Sequence, residues 1–281
     1  MTDALRVVLF GHPVHHSRSP QLFDALRRAG GPAITMELLD VCPADLPRAL
    51  DDLRVGRWDA AGVTLPHKGM AAAIVDALDD RGRRAGTINA IARRGGNLVG
   101  SNTDGAGFIA SLQGYRPRRA VVLGSGGAAR GVGAALLSQG AEVLVVSRRA
   151  EKRTAWIGKA TSAVTGWDDP DLVSRVRHAD LVVQATSVGM TGAARGRPPL
   201  AAEALHRGQR VVDLIYTPWQ TPFLALARSR GATATNGWPM LVHQAAVAVD
   251  LWLGPGAGAL LPAASRSIEA RNPHRAPSMA A

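Results

Sequence analysis

Short apolar runs alternate along this chain with stretches whose apolar positions recur every three or four residues. Arg6-Val-Val-Leu-Phe10 ends at Gly11 and Pro13, which predicts a buried strand feeding a loop. Ser19-Pro20 then predicts a helix start, with serine as N-cap and proline at the first helical position. Leu22, Ala25, Leu26 and Ala29 form its apolar face until Gly30-Gly31 stops it. A strand over Ile34 to Asp40, a helix over Ala44 to Arg54 and a strand over Ala60 to Val63 continue the alternation, a βαβ pattern with a parallel sheet. Met70 to Asp80 reads as another helix, and Thr87 to Ala92 with Asn97 to Ser101 as a hairpin around Gly95-Gly96. A second βαβ series follows. It has strands at Arg119 to Leu123, Glu142 to Ser147, Leu181 to Gln184 and Arg210 to Leu214, and helices at Ala128 to Gln139 and near Ala150 to Gly158. A helical pattern from Met240 to Leu253 ends at Gly254, Pro262 to Ala270 reads as a short helix, and the last ten residues read as disordered. There is no internal repeat.

Composition narrows the class. With 281 residues and 46% hydrophobic content, there is chain enough for one large or two modest cores and too much apolar character for a disordered protein. Cys42 is the only cysteine, which excludes a disulfide scaffold and points to a reducing, cytoplasmic setting. The apolar runs are too short for a membrane span, and Met1 to Arg6 does not lead into a signal core. A net charge of +11 raises the question of a nucleic-acid partner. The basic residues, however, are scattered as short pairs such as Arg27-Arg28 and Arg118-Arg119, and only 4% of the chain is aromatic. That pattern suits a solvated, arginine-rich surface better than a nucleic-acid groove.

Candidate chemistry begins with the turn after the strand at 119–123. In Gly124-x-Gly126-x-x-Ala129 the first glycine permits a tight strand-to-helix turn. The second lets a pyrophosphate approach the backbone, and the small third residue allows close helix packing. The same turn could be purely steric, but it has a strand before it, a helix after it and a second strand at the right distance. That second strand ends in Ser147-Arg148-Arg149, where an NAD-binding unit would carry Asp or Glu. Arginines suit a 2′-phosphate and favour NADP. The alternative, a solvated charge run at a helix start, sets cations against the helix dipole.

The first half carries polar residues at loop positions that folding does not demand. Ser17 and Ser19 follow the first strand, Thr64 and Lys68 the third, and Asn89 precedes the hairpin. In open parallel sheets the ligand crevice lies outside the carboxyl ends of the strands, where Ser17, Ser19, Thr64 and Lys68 should gather. Each serine alone could equally be a turn or helix cap. Lys68 is harder to explain that way. Thirty of the 33 basic residues are arginine, and the other lysines are Lys152 and Lys159. An ammonium can release its proton when tuned by its surroundings, and a guanidinium effectively cannot.

Taken together these segments resemble the shikimate dehydrogenase family. Gly11-His-Pro-Val-His-His-Ser17-Arg-Ser19-Pro20 is similar to its first signature and Val63-Thr64-Leu-Pro66-His-Lys68 to its lysine motif. Thr87-Ile-Asn89, Asn102-Thr103-Asp104-Gly-Ala-Gly107-Phe108 and Gly124 to Arg130 follow in the family's order. Ala185-Thr186-Ser-Val-Gly189-Met190, Asp213-Leu-Ile-Tyr216-Thr-Pro218 and Gly237-Trp-Pro-Met240-Leu-Val-His-Gln244-Ala complete it. The resemblance implies an α/β protein of two domains with the active site between them. A substrate domain with a mainly parallel sheet would span 1–101 and be completed by C-terminal helices at 238–271. A Rossmann-type NADP domain would span 102–237, with 272–281 as a tail.

It further implies interconversion of 3-dehydroshikimate and shikimate with NADP(H), within aromatic amino-acid biosynthesis, by a catalytic pair of Lys68 and Asp104. Ser17, Ser19, Thr64, Lys68, Asn89, Asp104, Tyr216 and Gln244 would contact the substrate. Gly124, Ser125, Gly126, Gly127, Ala128, Ala129, Arg130, Ser147, Arg148, Arg149, Thr186, Ile215 and Gly237 would line the cofactor, with Asp80 a further candidate placed by its distance from Asn89. The chemistry suits this set independently: ketone reduction needs a proton donor beside the carbonyl and a cleft that excludes water, and hydride chemistry needs no metal. His12, His15 and His16 have no ligand spacing around them and read as a loop.

The chain departs from the family pattern at Gly62, where Asn is usual, at Phe23-Asp24 in place of His-Asn, and at Ala90 in place of Thr. These positions leave quinate or another hydroxylated ring carboxylate as the alternative substrate. A non-catalytic NADP sensor is the reading from a different class, and it has no need of Lys68 and Asp104. The expected partner is a small molecule, with neither nucleic acid nor membrane, and the chain is expected to be a monomer or homodimer.

Overall fold

The computed structural model describes residues 4–271; the expected disordered tail, 272–281, lies outside the described residues. The first sheet is built from β1 (Leu5–Gly11), β2 (Ile34–Asp40), β3 (Ala60–Val63), β4 (Ala77–Leu78), β5 (Ala90–Arg94) and β6 (Asn97–Ser101), in the order β2-β1-β3-β5-β6-β4. β1 pairs in parallel with β2 and β3, and β4 in parallel with β6. β5 runs antiparallel to both β3 and β6, so the sheet is mixed. The hairpin turns where expected, at Gly95 and Gly96 with φ of 56° and 88°, as a two-residue turn with both central residues left-handed requires. Continuous apolar runs are buried on both faces. Val7 meets Leu22 and Leu26 of α1 (Ser19–Arg28), while Val8 and Phe10 meet Leu46, Leu50 and Leu53 of α2 (Leu46–Arg54).

Two local expectations fail here. Ser19 is not an N-cap: α1 is capped by Arg18 without a side-chain bond, and Ser17 Oγ instead accepts from the Ser19 amide at 3.3 Å. The single helix expected over Met70 to Asp80 is two helices, α3 (Lys68–Ile74) and α4 (Asp80–Ala85), separated by β4. The break has a tertiary cause. Val75 turns extended, Asp76 accepts from the Leu98 amide at 2.7 Å, and Asp79 caps α4 through Gly82 N at 2.8 Å while accepting from Ser101 Oγ at 2.7 Å. Pairing with β6 thus outweighs helical periodicity that is locally adequate.

α5 (Asp104–Ser111) then leads into the second sheet: β7 (Arg119–Leu123), β8 (Glu142–Val146), β9 (Ala163–Thr165), β10 (Leu181–Gln184), β11 (Arg210–Asp213) and β12 (Thr233–Thr235). Its order is β12-β11-β10-β7-β8-β9 and every pairing is parallel. Read from the other edge this is the doubly wound 3-2-1-4-5-6 order, with its topological switch point between β7 and β10. α6 (Gly127–Ser138) covers one face through Val132 and Leu136. α7 (Leu172–Arg177) and α8 (Pro222–Ser229) cover the other through Leu172, Val176 and Phe223. The helix expected near Ala150 to Gly158 is a 3-10 segment, Ala150–Trp156, followed by a parallel bridge between Ile157 and Thr161 that draws the chain toward β9.

The chain finally returns to the first sheet. α9 (Trp238–Leu253) and α10 (Leu261–Glu269) pack with α1, Trp252 lies 6.0 Å from Phe23, and its indole donates to Ile91 O at 3.2 Å. Among the described residues no helix is long and apolar enough to cross a membrane.

α5 is the hub between the two sheets, and its sequence shows why. A side-chain carbon at Gly107 would lie 2.4 Å from Gln244 N on α9, and one at Gly105 would lie 2.5 Å from Gly131 O on α6. Glycine at both positions lets α5 approach a helix of each half at backbone distance.

Candidate active site

Polar groups converge where α3, α5 and α9 meet the carboxyl ends of β1 and β3. Lys68 opens α3 and Asp104 opens α5, and the Lys68 ammonium donates to Asp104 Oδ2. The pair is well shielded, with side chains 15% and 6% exposed. Asn89, which is buried, organises its surroundings. Its Nδ2 lies 2.8 Å from Thr103 Oγ1, 3.1 Å from Asp104 Oδ1 and 2.8 Å from Gln244 Oε1, and its Oδ1 accepts from the Thr103 amide at 2.6 Å. Two amide hydrogens serve three acceptors, which leaves this cluster capacity to rearrange around a ligand hydroxyl. His67, buried next to the lysine, donates from Nε2 to Val41 O at 2.7 Å. Burial holds its pKa below the ordinary histidine value, so it adds no second positive charge.

All eight candidate substrate residues line one cavity of about 170 Å³: Ser17, Ser19, Thr64, Lys68, Asn89, Asp104, Tyr216 and Gln244. Ser17 Oγ and Ser19 Oγ are 3.3 Å apart. Burial raises the Tyr216 pKa, and a hydrogen bond from the Arg18 backbone partly offsets it, which places the phenol beside the same loop. The remaining wall is apolar and includes Leu9, Phe23, Met36 and Trp252. Gly62 lies on the same wall, where a side-chain carbon would meet Leu9 Cδ1 at 2.8 Å. Asn102, Thr103 and Thr87 are not among the site residues expected from sequence, yet they hold the floor: Asn102 Nδ2 donates to Thr87 O at 3.1 Å and Thr87 Oγ1 to Gly127 O at 3.2 Å. Three consecutive buried polar residues between a strand and a helix, Asn102-Thr103-Asp104, are the signal that could have found them.

The glycine-rich turn borders this cavity. Gly124 has φ of +114°, and a side chain there would meet Thr186 Cγ2 at 2.9 Å and Ala185 O at 3.0 Å, so the turn is closed against the end of β10 at the switch point. Gly126 caps α6 with open space in front of it, and the first amides of this twelve-residue helix face that opening. Ser147 donates from Oγ to Ser125 Oγ at 2.9 Å and accepts from the Arg149 amide at 3.2 Å. Arg148 and Arg149 are exposed, and among the described residues neither guanidinium has an ion pair. A phosphate loop with two free arginines at the adjacent strand end fits a 2′-phosphorylated dinucleotide.

Gly127 packs on the stem of Lys68, where a side-chain carbon would lie 2.8 Å from Lys68 Cβ, and Ala128 lines the substrate cavity itself. Gly237 caps α9 so tightly against Leu214 that a side-chain carbon would sit 2.0 Å from its carbonyl oxygen, and its amide donates to Ile215 O at 3.0 Å. Ala129 is buried in the helix–sheet interface. Two candidates are placed differently. The Arg130 guanidinium stacks 4.7 Å above Trp156, and Asp80 is an exposed residue ion-paired to Arg83 at 2.5 Å, outside the cavity. His12 and His15 both contact Asp40, at 2.5 and 3.2 Å.

Asp213, at the end of β11, carries no role in the sequence reading beyond opening a motif. Fully buried, it accepts from Ile215 N at 3.0 Å and Thr221 Oγ1 at 2.6 Å, and burial pushes its pKa up to about 6. The folded state therefore holds this proton more tightly than the unfolded chain. The contribution to stability is full below about pH 4 and is lost as pH rises through about 6. Relative to Asp213→Asn, the wild type should lose up to about 3 kcal/mol between pH 4 and 7, measured by denaturant unfolding at both. A difference between the two proteins that does not change with pH would contradict the raised pKa of Asp213.

Similarity to known proteins agrees with this arrangement. Residues 9–91 match the family described as shikimate dehydrogenase substrate binding domain. The chain is 38% identical over 252 residues to the shikimate dehydrogenase (NADP(+)) of an Exiguobacterium species, covering 89% of this chain and 93% of that one. It is 40% identical over 259 residues to that of Moorella thermoacetica, covering 88% of each. The crystal structure of shikimate 5-dehydrogenase from Thermus thermophilus in complex with NADP(H) and shikimate superposes with a TM-score of 0.81 at 34% identity, covering 94% of this chain and 99% of that one. Identity at this level over nearly the whole length, carried on the same two-sheet fold, places the chain in the shikimate dehydrogenase family.

Proposed function

We propose that this chain catalyses the NADP(H)-dependent interconversion of 3-dehydroshikimate and shikimate. The observation that carries the reading is that Lys68 and Asp104 lie in one shielded cavity with the hydroxyls of Ser17, Ser19 and Tyr216 and with the first turn of the phosphate-binding helix. In this reading the substrate unit is residues 1–101 with 238–271 and the nucleotide unit is 102–237. A cytoplasmic setting and a monomeric or homodimeric state belong to the same proposal.

The three hydroxyls hold the ring carboxylate at one end of the cavity, where neutral donors can be aimed at an anion without a competing charge. Thr64, Asn89 and Gln244 bind the ring hydroxyls. NADPH, when bound along Gly124 to Ala129 with its 2′-phosphate at Arg148 and Arg149, supplies the hydride. Lys68 delivers the proton to the carbonyl oxygen as negative charge develops there, and recovers it in the reverse direction. Asp104 orients the ammonium and accepts from a ring hydroxyl. Asn89 keeps that carboxylate aligned. Gly127, pressed on the Lys68 stem, holds the proton donor against the start of the phosphate-binding helix.

Steady-state turnover of shikimate and quinate, each with NADP and with NAD, tests this. Shikimate with NADP is the expected best pair, and activity confined to quinate with NAD would overturn the proposal. In the same panel Arg148→Asp should weaken NADPH binding by roughly tenfold or more with little change for NADH, since only the former presents a dianion to the guanidinium. Equal losses would remove Arg148 from the cofactor site.

A further inference from the structure

A second, larger cavity of about 590 Å³ opens on the other side of Tyr216. Among the described residues, Tyr216 is the only one that lines both this cavity and the substrate cavity. The chemistry of the two differs. The substrate cavity presents hydroxyls, amides and a single ion pair. The outer cavity presents three guanidinium groups, Arg18, Arg28 and Arg271, around an aromatic wall of Trp219, Trp238 and Tyr216. Trp219 and Trp238 lie 5.8 Å apart at an interplanar angle of 46°, and Tyr216 stands edge-on to Trp238 at 6.5 Å.

The charge balance is positive. Asp24 is the only carboxylate among the described lining residues, and it is shared between Arg27 and Arg28. The Arg18 guanidinium donates to the neutral Gln21 Oε1 at 3.0 Å, and among the described residues neither Arg18 nor Arg271 has an ion pair. Glu269 is nearby but engaged by the Trp238 indole at 2.9 Å. Guanidinium groups beside an aromatic wall suit a flat ring that carries an anion: the ring can lie on the wall while the carboxylate takes two parallel N–H donors.

We propose that this outer cavity is a second ligand site, for an organic anion with a flat ring, an aromatic or unsaturated-ring carboxylate distinct from the substrate. Its occupancy reaches the substrate cavity through the shared Tyr216 and through Arg18, whose backbone lies between Ser17 and Ser19. A ligand in the outer cavity shifts the apparent affinity for the ring carboxylate in the inner one, and the shift saturates. The coupling rests on the reading of Ser17, Ser19 and Tyr216 as substrate contacts; binding to the outer cavity does not.

The probes are 2-naphthoate and its neutral isostere 2-naphthamide, titrated into the full-length protein by calorimetry and tryptophan fluorescence at low ionic strength, with and without saturating shikimate. Naphthoate should bind at least roughly tenfold more tightly than naphthamide, as expected where a charge-assisted pair is formed, and should remain bound when shikimate is saturating. It should raise or lower the shikimate KM to a plateau. In the Arg28→Ala/Arg271→Ala variant, naphthoate affinity should fall at least roughly tenfold while kcat and KM without naphthoate stay at wild-type values. Arg271→Ala alone, at a helix end, guards against a folding defect in the double variant and should give part of the loss. Equal affinity for the two probes, no binding in the millimolar range, indifference to the double variant, or simple competition with shikimate would each overturn the second site. Tight, shikimate-independent binding with no change in KM would keep the site and overturn only the coupling through Tyr216.

Discussion

Lys68→Ala is expected to lower kcat by roughly 10²–10⁴-fold while leaving NADPH binding close to wild type. Among the described residues the lysine ammonium is the only cation contacting Asp104, and both side chains are withdrawn from water. Replacing it removes the proton donor and leaves Asp104 as a buried carboxylate whose remaining side-chain donor is the Asn89 amide. The Ser147-to-Arg149 strand end is untouched and the phosphate loop loses only the packing of the Lys68 stem on Gly127, so cofactor titration by fluorescence should separate loss of chemistry from loss of binding. Because an orphaned buried charge is itself destabilising, the variant should also unfold at lower denaturant concentration, an effect of about 3–5 kcal/mol where a buried pair is broken. Unchanged turnover would refute the assignment of the proton donor, and equal loss of NADPH binding would mean that the substitution disturbed the fold.

Gly107→Ala should be among the most damaging single methyl groups in the chain outside the cavity. The added carbon would lie 2.4 Å from Gln244 N and 2.6 Å from its Cα, backbone contacts that no rotamer can relieve. α5 and α9 must then separate. Overpacking of this kind costs about 1–3 kcal/mol, and this contact belongs at the upper end because both partners are helix backbone. The same displacement pulls Asp104 and Gln244 apart, and with them the Asn89 network, so turnover should fall at least roughly tenfold even at temperatures where the variant is folded. Gly69→Ala is the matched control: it lies in α3 beside Lys68 with nothing within 4 Å of the added carbon, and it should leave stability unchanged or slightly raised. Equal behaviour of the two variants in thermal unfolding and kcat would show that the α5–α9 approach does not position the site.

Much of this architecture is legible without coordinates because it rests on short-range physics. Apolar runs bounded by glycine and proline identify the buried strands β1, β3, β7, β8, β10 and β11. The turn at Gly124 to Ala129 declares its use through backbone freedom and small size. The scarcity of lysine in an arginine-rich chain singles out Lys68. Where local signals compete with distant partners, the reading fails. The stretch from 70 to 80 has adequate helical periodicity, but it breaks because Asp76 and Asp79 find partners on β6. α5 is masked by the same glycines that make its helix contacts possible.

What the amino-acid sequence determines by itself is the succession of the main buried strands, the phosphate-binding turn with its arginines, and the residue types from which a reductase site can be built. The tertiary structure alone decides that Lys68 meets Asp104 across 36 residues and Asn89 meets Gln244 across 155. It also decides that burial raises the Asp213 pKa to about 6, and that a positively charged aromatic cavity stands behind Tyr216. The division has a physical reason. Propensity, periodicity and turn chemistry act over a few residues, whereas ion pairing, desolvation and cavity shape depend on groups that only the packing of α5 against α6 and α9 brings together.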